Sequence, residues 1–462
     1  MTTIRFHRLT AAIALVGVGT VSASGQQPTR PIAGSGLTLV ELLNRAVAQH
    51  PLVDAARARV RGAEGARLTA RTLSNPVLTW QVENAPFPGR DAPAGTDREI
   101  STFATLPLEP LFQRGPRITR ANEDVRAAEA ELDLARRAVS LDASRAFYRV
   151  ALAQAAVEGA TDVRDRLSEL ASYTGARVKE GATSEGDLIR VEVELDRADA
   201  SLTLERVELA RARGALAPYL GGPTLASALD SIRVVVDTSA LPVMSTSSGG
   251  GALLAPLDVY VARASLARPD LVASRARVAA ARAETNYQRT LTVRQLGATF
   301  GSKRIAGVNT MIAGLSLPLP VFDQNRGEVQ RTSSEHSALE HELVWRERQV
   351  AAEVAASYEA ARLLGEQRTR LSRSFITRAE MSRRIALAAY REGATSLLQV
   401  IDASRTLADA RLVWYRTLFA ERESLLELNV VSGSELPGLT PPTSPVDASR
   451  AARPDARDGG RP

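Results

Sequence analysis

The sequence predicts a mainly α-helical protein with a small β part, built from two copies of one unit: helix, β-hairpin, long helix, return helix. Three observations carry this. The pentapeptide Glu-Gly-Ala-Thr-Ser occurs at Glu180–Ser184 and again at Glu392–Ser396. The flanking landmarks keep their distances: Gly115 and Gly327 each precede the loop glycine (Gly181 or Gly393) by 66 residues, and Gly221 and Gly433 follow it by 40. Equal spacing on both sides argues for internal duplication rather than a chance match. Finally, aromatic residues make up only 4% of the 462, and Ala and Arg dominate. That is poor material for a thick core and suits long helices packed through small residues.

Residues 1–25 read as a signal peptide: Arg5, His7 and Arg8 precede an apolar run, Leu9–Val18, and then small residues at Ser22–Gly25. A linker, 26–36, follows. The first repeat spans 37–221. Its leading helix is expected over Leu37–Leu73, and its partner in the second repeat, 256–433, over Pro256–Leu291; the two align at Arg57–Val60 and Arg275–Val278. Four segments then alternate. Leu78, Trp80 and Val82 oppose Thr79, Gln81 and Glu83, while Ile100, Ala104, Leu106 and Leu108 share a face, with Phe103 the exception. Leu296, Ala298 and Phe300 oppose Gln295, Gly297 and Thr299, and Met311, Ala313, Leu315, Leu317 and Leu319 oppose Thr310, Gly314 and Ser316. Period two with one apolar face marks half-buried strands, expected at about 76–84, 99–108, 293–301 and 309–319. About ten residues is also what a tilted strand needs to cross a bilayer, and no stretch after the signal is long and apolar enough for a membrane helix. A small sheet in a soluble domain fits the alternation equally well.

Pro107, Pro110 and Pro116, then Pro318 and Pro320, stand where alternation ends and helical period resumes. Proline removes a ladder donor and presets φ, which suits a strand-to-helix change. In the first long arm Val125, Leu132, Val139, Ala146 and Ala153 recur every seven residues, the seam of a coiled coil. An uninterrupted 66-residue helix would rise roughly 100 Å. At the tips, 180–184 and 392–396, Gly181 and Gly393 reverse the chain, and Ser184 and Ser396 are expected N-caps of the return helices. The segment 222–255 links the repeats and carries a strand at Ile232–Val236. The tail, 434–462, is Pro-, Ser- and Arg-rich and reads as disordered.

Net charge is +6, but charges of both signs alternate densely, as on solvated helix faces, with no basic cluster for nucleic acid. No nucleotide-binding loop, dinucleotide fingerprint or zinc-protease motif occurs, and no nucleophile–base pair. His336 and His341 read as solvated helix residues. No catalytic site, cofactor or bound metal is expected. The chain has no cysteine, which excludes a lipoprotein anchor.

The duplicated order, the proline-marked junctions Leu106-Pro107-Leu108 and Leu317-Pro318-Leu319, and the Tyr-x-x-Gly-type tip turn resemble the TolC-like outer-membrane factor family over nearly all of the mature chain. The run Leu73-Ser74-Asn75-Pro76-Val77-Leu78 is similar to its heavy-metal and multidrug efflux branches. The resemblance implies a homotrimer in which four strands per copy form a 12-stranded outer-membrane β-barrel, continued through the periplasm by an α-barrel. Such a protein is the passive exit duct of a tripartite efflux pump, joined by a periplasmic adaptor to an inner-membrane pump. It implies adaptor docking at Gly181, Ala182, Thr183 and Ser184 and at Gly393, Ala394, Thr395 and Ser396. Asp187 and Tyr390 match gate positions, and Asp402 matches one of two acidic constriction positions. Gln399 replaces the other acid, and Thr395 stands where an arginine partner of the gate aspartate is expected. Physics points to the same stoichiometry class, since four strands leave bare edges in lipid. The alternative is a periplasmic coiled-coil adaptor or scaffold without a pore.

Overall fold

A computed structural model describes residues 36–90, 96–221, 232–236, 254–371 and 374–434. The expected signal peptide, almost all of the N-terminal linker, most of 222–255 and the tail beyond residue 434 lie outside the described residues.

The chain runs through α1 (Leu39–Gln49), α2 (Pro51–Arg71), β1 (Val77–Glu83), β2 (Glu99–Pro107), α3 (Pro110–Lys179) and α4 (Glu185–Leu216), with a 3₁₀ turn at Ala217–Tyr219. It repeats the order through α5 (Leu257–Ala267), α6 (Pro269–Thr290), β3 (Gly297–Ile305), β4 (Val308–Ser316), α7 (Arg326–Arg370), α8 (Ser374–Arg391) and α9 (Leu397–Val431). Three details differ from the expectation. Each leading helix is two helices, because His50 and Arg268 precede prolines and are held extended, at ψ 128° and 124°. The second long arm is divided between α7 and α8, whereas α3 runs for 70 residues without a break. The second hairpin sits later than expected on its first strand. Ala306 and Gly307 (φ 50° and 83°) form a two-residue turn of the kind that matches strand twist, so β3 continues through Ile305.

The four strands pair antiparallel in the order β1-β2-β3-β4. The register places Leu78 opposite Ala104, Ala104 opposite Phe300, and Phe300 opposite Ala313. Trp80, Thr102, Ser302 and Met311 line up in the next row. That face is mainly apolar, with Thr102 and Ser302 in its middle, and its large side chains are bare in the single chain: Leu78 is 73% exposed, Trp80 66%, Met311 72% and Leu315 68%. Transfer of each such side chain from water to an apolar environment is worth about 1.5–3 kcal/mol. The opposite face carries Thr79, Gln81, Glu83, Ser101, Thr105, Thr299, Lys303 and Thr310, with Thr105 and Thr299 sharing a hydrogen bond of 3.1 Å and Lys303 paired to Glu99. Phe103 lies on this polar face opposite Gly301. A Cβ on Gly301 would stand 2.3 Å from the Thr102 carbonyl oxygen and 2.4 Å from the Phe103 Cβ. The glycine is what makes room for the aromatic in the row Thr79, Phe103, Gly301 and Ile312.

The strand-to-helix junctions are stapled by side chains. At the first, Arg114 donates to the Arg71 carbonyl at 3.1 and 3.0 Å, and Arg117 to the carbonyls of Ala70 (3.1 Å) and Thr72 (2.8 Å). These occupy acceptors that the end of α2 leaves open. Pro107 closes β2, Pro110 is the first residue of α3, and Pro116 lies inside that helix. At the second junction Pro318 and Pro320 fall in the irregular segment after β4. There the buried Asn325, in the left-handed region, donates to the Gln288 carbonyl at 2.6 Å and accepts from Arg294 at 2.6 Å.

The helices pack around small apolar clusters rather than one core. The largest joins α1, α3, α4 and α9 around Phe147, Tyr148, Val150, Leu216 and Phe419. Of the heptad positions, Val125, Val139, Ala146 and Ala153 are buried. Burial pushes the Tyr148 hydroxyl up to about 12. A second cluster joins α5, α6, α7 and α9 around Tyr260, Leu271, Val354 and Leu428. The expected strand at 232–236 makes a single parallel bridge, Val234 to Leu37, on whose other side the Gln154 amide donates to the Val234 carbonyl (3.2 Å) and accepts from its N–H (2.9 Å).

Gly301→Val should be the most damaging single change in the sheet. Overpacking costs ~1–3 kcal/mol or more, and here backbone is among the atoms displaced. The expected result is a reduced yield of heat-resistant species on cold gels of detergent extracts, with Gly314→Val near wild type because no atom lies within 4 Å of its added Cβ.

Candidate functional site: the helical tips

The two tip turns are built alike. After α3, the Gly181 N–H donates to the Val178 carbonyl at 3.0 Å and the Ala182 N–H to the Arg177 carbonyl at 2.8 Å. After α8, Gly393 donates to Tyr390 at 3.0 Å and Ala394 to Ala389 at 2.8 Å. This paired pattern satisfies the last carbonyls of a helix and requires a left-handed residue, which Gly181 and Gly393 supply at φ 70° and 74°. Gly181, Ala182 and Ser184 are exposed, as are Gly393, Ala394 and Ser396, while Thr183 and Thr395 are half-buried.

The return helices start differently. Ser184 accepts from the Asp187 N–H at 3.2 Å and donates to the Asp187 carboxylate at 3.0 Å; Thr183 adds a second hydroxyl donor at 3.2 Å. Asp187 is therefore the third residue of α4, bound into its own cap, with Arg190 3.9 Å away. Gln399 holds the same place in α9. Its side chain accepts from Thr395, and the Ser396 hydroxyl makes no cap bond, so the expected second N-cap is a cap by backbone conformation only.

Tyr390 is 8% exposed and packs with Leu167, Leu170, Val191, Leu397, Val400 and Ile401, its ring edge-on to Tyr173 at 6.4 Å. Asp402 is exposed and has no ion pair among the described residues. The structure thus brings the two tips' sequence-singled residues into like turns, but it joins neither Asp187 nor Asp402 to Tyr390 within one chain. What crosses between the arms lies above the turns: Arg405 on α9 pairs with Glu194 on α4, and Arg145 on α3 reaches Glu423 (3.1 Å) and Glu427 (3.2 Å) on α9. A further group, Asp162 and Arg166 on α3, Glu380 and Arg383 on α8 and Arg411 on α9, has no signature in the sequence. Its members are dispersed among many alternating charges, and only the packing of three helices unites them.

The family description "Outer membrane efflux protein" matches residues 42–222 and 261–416. The chain belongs to that family. A curated relative, the cobalt-zinc-cadmium resistance protein CzcC of Cupriavidus metallidurans, is 25% identical over 390 residues, 83% of this chain and 87% of its own. Among solved structures, the outer membrane protein VceC of Vibrio cholerae superposes with a TM-score of 0.68 at 18% identity, covering 86% of this chain and 96% of that one. The open state of the Neisseria gonorrhoeae MtrE outer membrane channel gives 0.66 at 17%, covering 88% and 90%. CusC gives 0.67 at 16%, covering 90% and 100%. This efflux protein is an outer-membrane channel component; the pore-free adaptor alternative has nothing in its favour. The family is one of transport channels rather than enzymes. Among the described residues no helix is long and apolar enough to cross a membrane.

Gly181→Val and Gly393→Val should each cost ~1–2 kcal/mol through the left-handed backbone alone, since no atom lies within 4 Å of the added Cβ. Amide exchange should rise at 178–187 and 390–399 while the protection of α3 around Phe147 stays unchanged. Exchange spreading to Phe147 would show that the turns hold more than themselves.

Proposed function

We propose that three copies associate through the free edges of β1 and β4 into a 12-stranded outer-membrane barrel, with the long helices continuing it through the periplasm as the exit duct of a tripartite efflux pump. The observation that carries this is the sheet: four strands, two bare edges and one apolar face in a chain of the outer membrane efflux family. An open edge in hydrocarbon leaves backbone groups unsatisfied at several kcal/mol each, and closure removes the edges. The apolar face then meets lipid, and the threonine- and glutamate-bearing face lines the lumen.

In this reading the tips, Gly181–Ser184 and Gly393–Ser396, receive the hairpin of a periplasmic adaptor and, through it, an inner-membrane pump supplies the energy. Export of the chain uses the signal at 1–25. Asp402, exposed and unpaired among the described residues, forms a ring of three carboxylates at the tip-level constriction, beside Asp187, Tyr390 and Gln399. Such a ring favours cations. The similarity to a cobalt-zinc-cadmium resistance protein supports divalent transition-metal ions as cargo.

Purified protein in planar lipid bilayers should conduct, and a salt gradient should give a cation-preferring reversal potential. Asp402→Asn should move that potential toward zero with little loss of conductance at high salt. A wild-type protein that never conducts would overturn the duct, and an unchanged Asp402→Asn potential would remove the ring.

A further inference from the structure

Between α3, α8 and α9, just above the tip turns, lies a crevice of about 120 Å³. Its lining is mixed: the apolar part is Leu167 and Leu170 from α3, Leu387 from α8, and Val400 and Ile401 from α9, with Ser404 beside them. Arg166 and Arg383 enter it, with the Tyr173 and Tyr390 rings alongside and the exposed Glu169 and Arg391 also on its lining.

The charges here do not balance. Asp162 serves two arginines, Arg166 at 2.8 Å and Arg411 at 3.1 Å, and Arg411 takes Glu380 as well, at 2.9 Å. Two carboxylates are spent on two guanidinium groups. Arg383 pairs with no carboxylate among the described residues, and its Nε is buried without a hydrogen-bond partner. Burial, and then the positive charges of Arg166 and Arg411, hold the Arg383 guanidinium below the usual arginine range. Asp162, despite burial, is held below the usual carboxylate range by the hydrogen bond and charge of Arg166 and by the charge of Arg411. The cluster keeps a surplus positive charge beside a crevice with one apolar wall. A guanidinium presents a planar fork that a carboxylate engages with two parallel hydrogen bonds. A dry cavity of ~150 Å³ admits a benzene-sized molecule, so this one suits a ligand of that order.

We propose that the crevice binds a small organic carboxylate with a compact apolar body, the carboxylate on Arg383 and the body against Leu387, Val400 and Ile401. A ligand seated there touches all three helices and ties α8 to α3 above the tip. The assignment does not rest on the duct reading, because binding is measured without transport.

The test is calorimetric titration of the detergent-purified full chain with sodium benzoate at constant ionic strength, with inorganic phosphate and benzyl alcohol as controls. Benzoate should bind saturably at about one per chain and at least tenfold more tightly than either control. Arg383→Gln should weaken it tenfold or more, and Arg383→Lys should retain part of the affinity. Leu387→Trp fills the apolar wall while leaving Arg383 in place; it should abolish binding and stands in if Arg383→Gln fails to fold. Equal binding to wild type and Arg383→Gln, phosphate binding as tight as benzoate, or no saturable heat overturns the proposal. So does a wild type that ignores benzoate while Arg383→Gln loses assembly, since the carboxylate would then come from a neighbouring copy.

Discussion

Backbone groups along the outer edges of β1 and β4 find no partner within the described chain, and the face that carries Leu78, Trp80, Phe300 and Met311 finds no covering layer. Neither condition is stable for a small sheet in water, and the bare edges are worse in hydrocarbon. Burying the polar face instead would take Glu83, Glu99 and Lys303 out of water, which costs free energy even where Lys303 and Glu99 pair. The sheet therefore asks for lipid on one side, water on the other and more strands at each end. The other features follow from holding it: the arginines that staple α3 to the end of α2, and the buried Asn325 that turns the chain from β4 into α7.

The helices meet a different requirement. Each is too thin to bury a core, and the clusters around Phe147, Tyr260 and Tyr390 are small and separate. Ion pairs such as those of Arg145 with Glu423 and Glu427 are half-exposed, so each contributes at most ~1 kcal/mol. Many such contacts in series hold these elements together along their length. The tip turns add rigidity locally, through caps that close within each hairpin. The gate-matched Asp187 is engaged in this way by Thr183 and Ser184, and Gln399 by Thr395. Gln399 thus has a local role at the start of α9, held by Thr395.

Much of this was legible in the sequence because the signals were local and doubled. Period-two alternation located all four strands, and repeated glycines located both tips. The break at His50 was missed because a strong apolar period continued across Pro51, and the helix restarts at once with the proline in its first turn. The alternation of Leu296, Ala298 and Phe300 does not mark where β3 ends, which is set by Lys303 facing Glu99 across the sheet and by the turn after Ile305. The arginine group at Asp162, Glu380 and Arg411 was out of reach, since its members lie up to 249 residues apart and share no spacing rule.

The most direct measurement uses the absence of native cysteine. Single cysteines scanned along β1, at Val77 to Glu83, are combined with single cysteines along β4, at Val308 to Ser316, and oxidised in outer-membrane preparations. Edge-to-edge closure predicts that some register yields covalent products that end at three chains. A cross-link that stays within one chain, a ladder that passes three, or no register that reacts would contradict it.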